Sequence, residues 1–172
     1  MQEVLLSDEP LHRGYRKINK RVYRLSDGSE ADYEVFMGGQ SVCVLALTPA
    51  QEVLLVRTFR PGPEKVLLEL PGGGCDKDEV LEEAMARELL EETGYRGNIR
   101  YLGTSYADAY STTIRNNFVA TDCRQVQDIP NIDREPTELV LMSLGEFRDH
   151  LRSGELSDVA TGYMGLDALG LL

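Results

Sequence analysis

Gly73 to Tyr95 reads GGCDKDEVLEEAMARELLEETGY. Its middle has the marks of an amphipathic helix: Asp76 or Asp78 stands in place to cap the start, acidic residues crowd the first turn, and Gly94 sits where a C-terminal glycine belongs. At about 100° per residue, the face that carries Leu81, Ala84 and Met85 continues into Glu88, Glu91 and Glu92. Carboxylates thus stand in line with an apolar stripe bound for the core. Glutamates spaced i, i+3, i+4 share one side of a helix and repel one another unless they are protonated, paired with arginine or neutralised by a hard divalent cation. A cluster of carboxylate oxygens suits Mg²⁺ or Mn²⁺. An acidic run on a helix is by default a solvated face; the register with the apolar stripe argues against that default.

Working outward, a short strand over Val66 to Leu70 leads straight into Pro71-Gly72-Gly73-Gly74, a glycine loop ahead of the helix. Glycines without a Cβ let a backbone approach a ligand closely. Upstream, SVCVLALT (Ser41 to Thr48) and Val53 to Phe59 are near-continuous apolar runs across a turn at Pro49-Ala50-Gln51-Glu52, which predicts buried strands of a central sheet. Tyr15 to Arg24 and Glu30 to Phe36, joined at Ser26-Asp27-Gly28, read as an N-terminal β-hairpin. Downstream, strands over Gly97 to Tyr106 and Asn116 to Thr121 flank a polar loop, Ala107 to Arg115. A strand over Glu138 to Ser143 and helices over Leu144 to Ser153 and Ser157 to Leu169 complete the chain. Leu144, Phe147 and Leu151 recur at core spacing. The fold class is α/β: a helix-sheet-helix sandwich with a mixed sheet, plus the N-terminal hairpin.

At 172 residues, with 42% hydrophobic and 27% charged residues, the chain fits one domain, 1–172, made of an N-terminal extension over 1–36 and a core over 37–172. A net charge of −11 argues against attachment to nucleic acid or to anionic membranes. No apolar run reaches the roughly 20 residues of a membrane helix, and Met1 to Leu11 lacks a signal-peptide hydrophobic region. Cys43, Cys75 and Cys123 are widely spaced, suggest neither a disulfide framework nor a zinc site, and fit a cytoplasmic protein. His12 and His150 read as exposed polar residues without chemistry.

The segment from Gly73 resembles the signature of the Nudix hydrolases: Gly73, Glu79, Arg87, Glu88, Leu89, Glu91, Glu92 and Gly94 fill their places without a gap, and only Tyr95 replaces a usual aliphatic residue. The match implies the Nudix fold over 37–172 and divalent-metal-dependent hydrolysis of a nucleoside diphosphate linked to another moiety. Carried over position by position, it implies Glu88, Glu91 and Glu92 as metal ligands, Gly72 as a carbonyl ligand, and Arg87 paired with Glu79 to fix the carboxylates. Arg57-Thr58-Phe59-Arg60 and the entry Glu69-Leu70-Pro71 resemble the ADP-ribose and nucleotide-sugar branch, with Arg60 suited to phosphate through its planar fork and Arg57 and Glu69 as further substrate contacts. Tyr110 is a candidate substrate contact that either stacks on a base or caps the core. N-terminal strands in that branch often cross to a second subunit, so a homodimer through the hairpin is expected.

One loop departs from the branch. Its members commonly carry Ser-Pro-Gly and then a glutamate, where this chain has Ala107-Asp108-Ala109 and Thr113, so strict ADP-ribose specificity does not follow. The general base stays open among Glu91, Asp108 and Glu138; Glu135 and Glu138 stand where they either approach the metal or, by default, belong to a solvated surface. ADP-ribose-like compounds or nucleotide sugars are the expected substrates, and the net charge disfavours triphosphates. A nucleoside triphosphate pyrophosphatase and a Nudix-fold sensor without turnover are the alternatives.

Overall fold

The computed structural model describes residues 2–129 and 138–172, which fall into two compact units. The first takes the chain up to Gln40 together with Tyr106–Arg115. Its strands β1 (Val4–Arg13), β2 (Lys17–Arg24) and β3 (Glu30–Phe36) form an antiparallel sheet in the order β1-β2-β3. The β2–β3 turn places Gly28 at φ 85°, a left-handed conformation that glycine adopts without steric cost. The expected hairpin is therefore two strands of a three-stranded sheet. β1 escapes a period-two reading because nearly every residue along it is exposed, so no face of VLLSDEPLHR needs to be apolar. Its Pro10 lies beside a register shift, where a missing N–H disturbs the ladder least. The polar loop from Tyr106 belongs to the same unit: Phe36 N–H donates to the Tyr110 carbonyl (2.8 Å) and Thr112 N–H to the Phe36 carbonyl (2.9 Å).

The second unit, Ser41–Ser105 with Asn116–Leu172, holds the core. Its elements are β4 (Gln40–Ala46), β5 (Glu52–Arg60), β6 (Lys65–Glu69), β7 (Gly72–Gly74), α1 (Leu81–Thr93), β8 (Tyr95–Tyr106), β9 (Ile114–Gln125), β10 (Glu138–Ser143), α2 (Leu144–Ser153) and α3 (Val159–Ala168). The strands run in two sheets, β7-β4-β9-β8 and β10-β5-β6. Successive side chains of a strand point to opposite faces, and β4 uses both. Val42, Val44 and Ala46 pack with Ala84, Met85 and Leu89 of α1 and with Phe118 of β9. Cys43, Leu45 and Leu47 pack with Phe147 and Leu151 of α2 and Leu166 of α3. The unbroken apolar run over Ser41 to Thr48 is thus a strand buried on both faces, with helices on either side, as a sandwich requires. α3 comes close to the sheet at Gly165, where a Cβ would stand 2.7 Å from that of Leu45.

The sheet is mixed. Leu47 N–H donates to the Ala120 carbonyl while the Leu47 carbonyl accepts from Cys123 N–H, so one residue of the segment after β4 bonds two residues of β9 in the manner of a parallel pair. The extra residue between those two is accommodated at Asp122, whose φ is 54°.

α1 starts later than its sequence suggests. Val80, in extended conformation, precedes the first helical residue and makes no side-chain cap. The cap expected from Asp76 or Asp78 is absent because both lie in a turn ahead of the helix: the Asp76 carbonyl accepts from Glu79 N–H (3.2 Å), and Asp78 takes φ 67°. The other end conforms, with Gly94 at φ 74° donating to the Leu90 carbonyl. α2 opens on a capping box between Ser143 and Glu146. His150 is partly buried and meets the Leu68 carbonyl at 2.8 Å, rather than standing free in solvent.

Candidate active site

The glycine segment ahead of α1 is an edge strand, not a loop. β7 pairs antiparallel with β4, Gly72 opposite Cys43 and Gly73 opposite Val42. Each glycine answers a different steric demand. A Cβ at Gly72 would stand 2.3 Å from the Val42 carbonyl oxygen, so only glycine lets β7 lie this close to β4. A Cβ at Gly73 would stand 2.4 Å from the carboxyl carbon of Glu88, so there the missing side chain is the space the carboxylate occupies. The Gly72 N–H donates to Glu92 Oε2 (2.8 Å), tying the end of α1 to the same strand.

Arg87 is the centre of the arrangement. Its Nε and Nη2 donate to the two oxygens of Glu79 (2.9 and 3.0 Å), a fork-to-fork pair. Nη1 reaches Glu88 Oε1 (2.8 Å) and Glu91 Oε2 (3.3 Å), and Nη2 also donates to the Gly74 carbonyl (3.2 Å). Arg87 and Glu91 are one helical turn apart, while Glu79 comes from the turn before α1, so a single guanidinium joins that turn, β7 and α1. The Arg87 hydrogen bonds hold Glu79 below the usual carboxylate range, helped by the N–H of Asp76. Glu88 goes the other way: burial raises it, and the Arg87 bond only partly offsets that cost. Glu92 is pushed up to about 7 by burial, against the Gly72 hydrogen bond that favours its charged form. Glu91 remains largely exposed.

The carboxylates therefore share a face but do not all converge on one point. Among the described residues no three acidic, histidine or cysteine side chains form a ready-made cation cage. The reason is local: Arg87 stands between Glu88 and Glu91, and Glu92 is turned onto the backbone of β7.

The arginine segment of β5 is engaged by acids of its own. Arg60 is paired with Glu69, a carboxylate only 1% exposed at the end of β6. The second oxygen of Glu69 accepts from the Ser157 hydroxyl (2.5 Å), 88 positions along the chain. Glu92 and Asp158 also act electrostatically on Arg60. Arg57 lies opposite Glu138 in the β5–β10 ladder and meets it in an exposed ion pair (3.4 Å) of the kind that contributes little. Tyr110 lies in the first unit, exposed, with its ring 6.3 Å from that of Tyr33, and its N–H donates to Asp108 Oδ1 (2.7 Å). Glu135 lies outside the described residues. Two participants went unseen in the sequence, the Gly74 carbonyl and Ser157. Ser157 precedes a helix, where a serine ordinarily reads as a cap, and no local signal links it to Glu69.

A model of the NUDIX domain matches residues 37–159. The chain is similar to the ADP-ribose pyrophosphatase of Bacillus subtilis (strain 168), with 27% identity over 142 residues that span 81% of this chain and 77% of that protein. It is also similar to the GDP-mannose pyrophosphatase of Yersinia enterocolitica, 27% identical over 171 residues and spanning 91% and 89% of the two chains. The ADP-sugar pyrophosphatase of Mus musculus is 30% identical over 110 residues, 57% of this chain and 50% of that one. A solved structure described as an ADP compounds hydrolase superimposes with a TM-score of 0.83 over 100% of this chain and 98% of its own, at 22% identity, a likeness of fold.

Proposed function

The chain belongs to the Nudix family of hydrolases, which act on pyrophosphate bonds, and from that premise we propose that it cleaves nucleoside diphosphate derivatives, ADP-ribose-like compounds or nucleotide sugars, to a nucleoside monophosphate and a phosphorylated remainder. The observation that carries this reading is the carboxylate set of Glu88, Glu91 and Glu92 organised by Arg87 against β7, hard oxygen donors of the kind that attract the counter-cations of a diphosphate. The names of the relatives from Bacillus, Yersinia and Mus favour the diphosphate class over triphosphates.

The site fits a divalent cation by two observations. Glu88 and Glu92 are carboxylates raised by burial, so negative charge is held there with too little compensation, and Glu88 fills a space that a Cβ on Gly73 would close. The donors are hard oxygens, suited to Mg²⁺ or Mn²⁺. Glu88, Glu91 and Glu92 would hold the ion, with the Gly72 carbonyl as a further donor. When bound, the cation neutralises the diphosphate and makes water a better nucleophile toward phosphorus. The chain's own part is positional. Arg87, anchored on Glu79, fixes Glu88 and tethers the exposed Glu91, and the Gly72 N–H orients Glu92. Arg60, held by Glu69 through Nε and Nη2, offers its Nη1 donors to a phosphate oxygen. Phosphoryl transfer asks for such placement and charge neutralisation, with no covalent role for Ser, His or Cys.

The same reading takes 37–172 as the hydrolase domain and 1–36 as an extension through which two copies pair. β1 supports the pairing, since it is an edge strand with Val4, Leu5, Leu6 and Leu11 exposed. Light scattering giving a monomer mass would remove it. The net charge of −11 speaks against nucleic acid or anionic membrane as partner, and three cysteines outside any disulfide suit the cytoplasm. Catalytic efficiency compared on ADP-ribose, GDP-mannose, a second nucleotide sugar and the deoxynucleoside triphosphates tests the substrate class. Several diphosphate compounds should be cleaved with ADP-ribose accepted among them; a clear preference for a triphosphate, with pyrophosphate as product, would replace this reading by a pool-cleaning pyrophosphatase.

A further inference from the structure

We propose that Ser157 is a positioning residue that holds Glu69 so that Arg60 is presented to the substrate instead of being consumed by its own buried partner. The proposal rests on the diphosphate reading given above. Glu69 has lost its water almost completely, so its carboxylate takes every donor within reach. Two donors reach it, from different directions. The Ser157 hydroxyl occupies Oε1, and the Arg60 Nε and Nη2 groups both converge on Oε2.

That division has a consequence for Arg60. A carboxylate with both oxygens available grips a guanidinium by two parallel bonds. With Oε1 claimed by serine, Glu69 holds Arg60 through one oxygen, and the Nη1 donors face away from the pair. The guanidinium is nearly half exposed, within electrostatic reach of Asp158 and of Glu92. An anionic group of a substrate then meets a cation that is aimed but not used up.

The serine itself is well placed to act this way. It sits in the turn between α2 and α3, which is fastened independently by Leu156, buried in the core. Removing one hydroxyl leaves that turn in place. It strips Oε1 of its donor, and a buried acceptor so stripped turns toward the nearest remaining one, the Arg60 fork.

Steady-state kinetics on ADP-ribose with Mg²⁺ test this with Ser157→Ala, Ser157→Thr, Arg60→Ala and the double variant Arg60→Ala/Ser157→Ala. Ser157→Ala should raise KM about tenfold, the size of one charge-assisted hydrogen bond, with kcat within about twofold and a melting temperature lowered by no more than several degrees, the protein remaining folded. Ser157→Thr, which keeps the hydroxyl, should restore KM. In the Arg60→Ala background, Ser157→Ala should add nothing, since the serine acts through Arg60. An unchanged KM in Ser157→Ala, a loss confined to kcat, or the same tenfold rise without Arg60 would overturn the proposal. Should the wild type cleave no diphosphate compound, the substrate reading fails, and calorimetric binding of inorganic pyrophosphate in Mg²⁺ judges the clamp separately. The same pattern in Kd upholds it; no binding, or binding indifferent to Ser157, ends it.

Discussion

Gly73→Ala separates catalysis from folding. The added methyl carbon arrives 2.4 Å from the Glu88 carboxyl carbon and 2.5 Å from each of its oxygens, against an ordinary contact of 3.4 Å or more. Something must retreat by about 1 Å, the difference between 3.4 and 2.4 Å. The cheapest retreat is at the end of the Glu88 side chain, which turns about its own torsions, so the fold survives with a cost near the low end of the 1–3 kcal/mol typical of overpacking, about 1 kcal/mol. The chemistry is less forgiving: a misplacement of about 1 Å in a positioned group costs on the order of 100-fold in rate. Gly72→Ala supplies the contrast, because its methyl meets the Val42 carbonyl oxygen at 2.3 Å and the Cys43 Cα at 2.9 Å, backbone that cannot swing aside. It should lose about 3 kcal/mol or more in urea unfolding, against about 1 for Gly73→Ala. The assays are chemical denaturation of both variants and kcat with Mg²⁺ on whichever diphosphate substrate the wild type prefers. A Gly73→Ala protein that keeps full activity, or that unfolds as readily as Gly72→Ala, refutes the argument that Gly73 is there to seat Glu88.

Glu79→Gln should lower turnover by roughly 10- to 100-fold, because Arg87 loses its fork partner but Glu88, Glu91 and Glu92 remain, whereas Glu92→Gln should exceed that loss. Equal losses in kcat from the two variants would show that Glu79 does more than orient Arg87. The pH dependence has a definite sign: burial lifts Glu92 from 4.5 to about 7, so the folded protein binds the extra proton and gains stability as pH falls through 7 toward 4.5. Metal-free protein should accordingly melt higher at pH 5.5 than at pH 8, by about 2 kcal/mol in stability, and saturating Mg²⁺ should flatten the trend by favouring the carboxylate. A metal-free melting temperature that falls on going from pH 8 to 5.5 would contradict it.

What the sequence makes legible follows from where its signals are local. The helical period puts Leu81, Ala84 and Met85 on one face; Ala84 and Met85 are buried in the core, and Leu81 packs against it partly buried. The unbroken run of β4 announces burial on both faces because every residue must be apolar there, and Gly94 marks the end of α1 because a left-handed residue is needed at that point. The misses are of another kind. β1 carries no pattern, since neither of its faces is covered by a core. β7 is all glycine, which has no strand propensity, and its pairing with β4 is dictated by the close approach that glycine permits. The Arg87 fork joins residues eight positions apart across the start of α1, a pairing that the resemblance to the family signature implies and that periodicity alone does not. The Arg60–Glu69–Ser157 link depends on the α2–α3 turn reaching the end of β6, which no local spacing encodes.

The central claim is that the Arg87-centred carboxylates serve the hydrolysis of a diphosphate bridge, and ³¹P NMR of ADP-ribose incubated with the protein and Mg²⁺ reads that bond directly. The two diphosphate resonances should disappear and be replaced, in equal amounts, by two phosphomonoester resonances, with no conversion by the Glu92→Gln variant. An unchanged spectrum with ADP-ribose and with nucleotide sugars alike, or conversion at the wild-type rate by Glu92→Gln, would contradict the account.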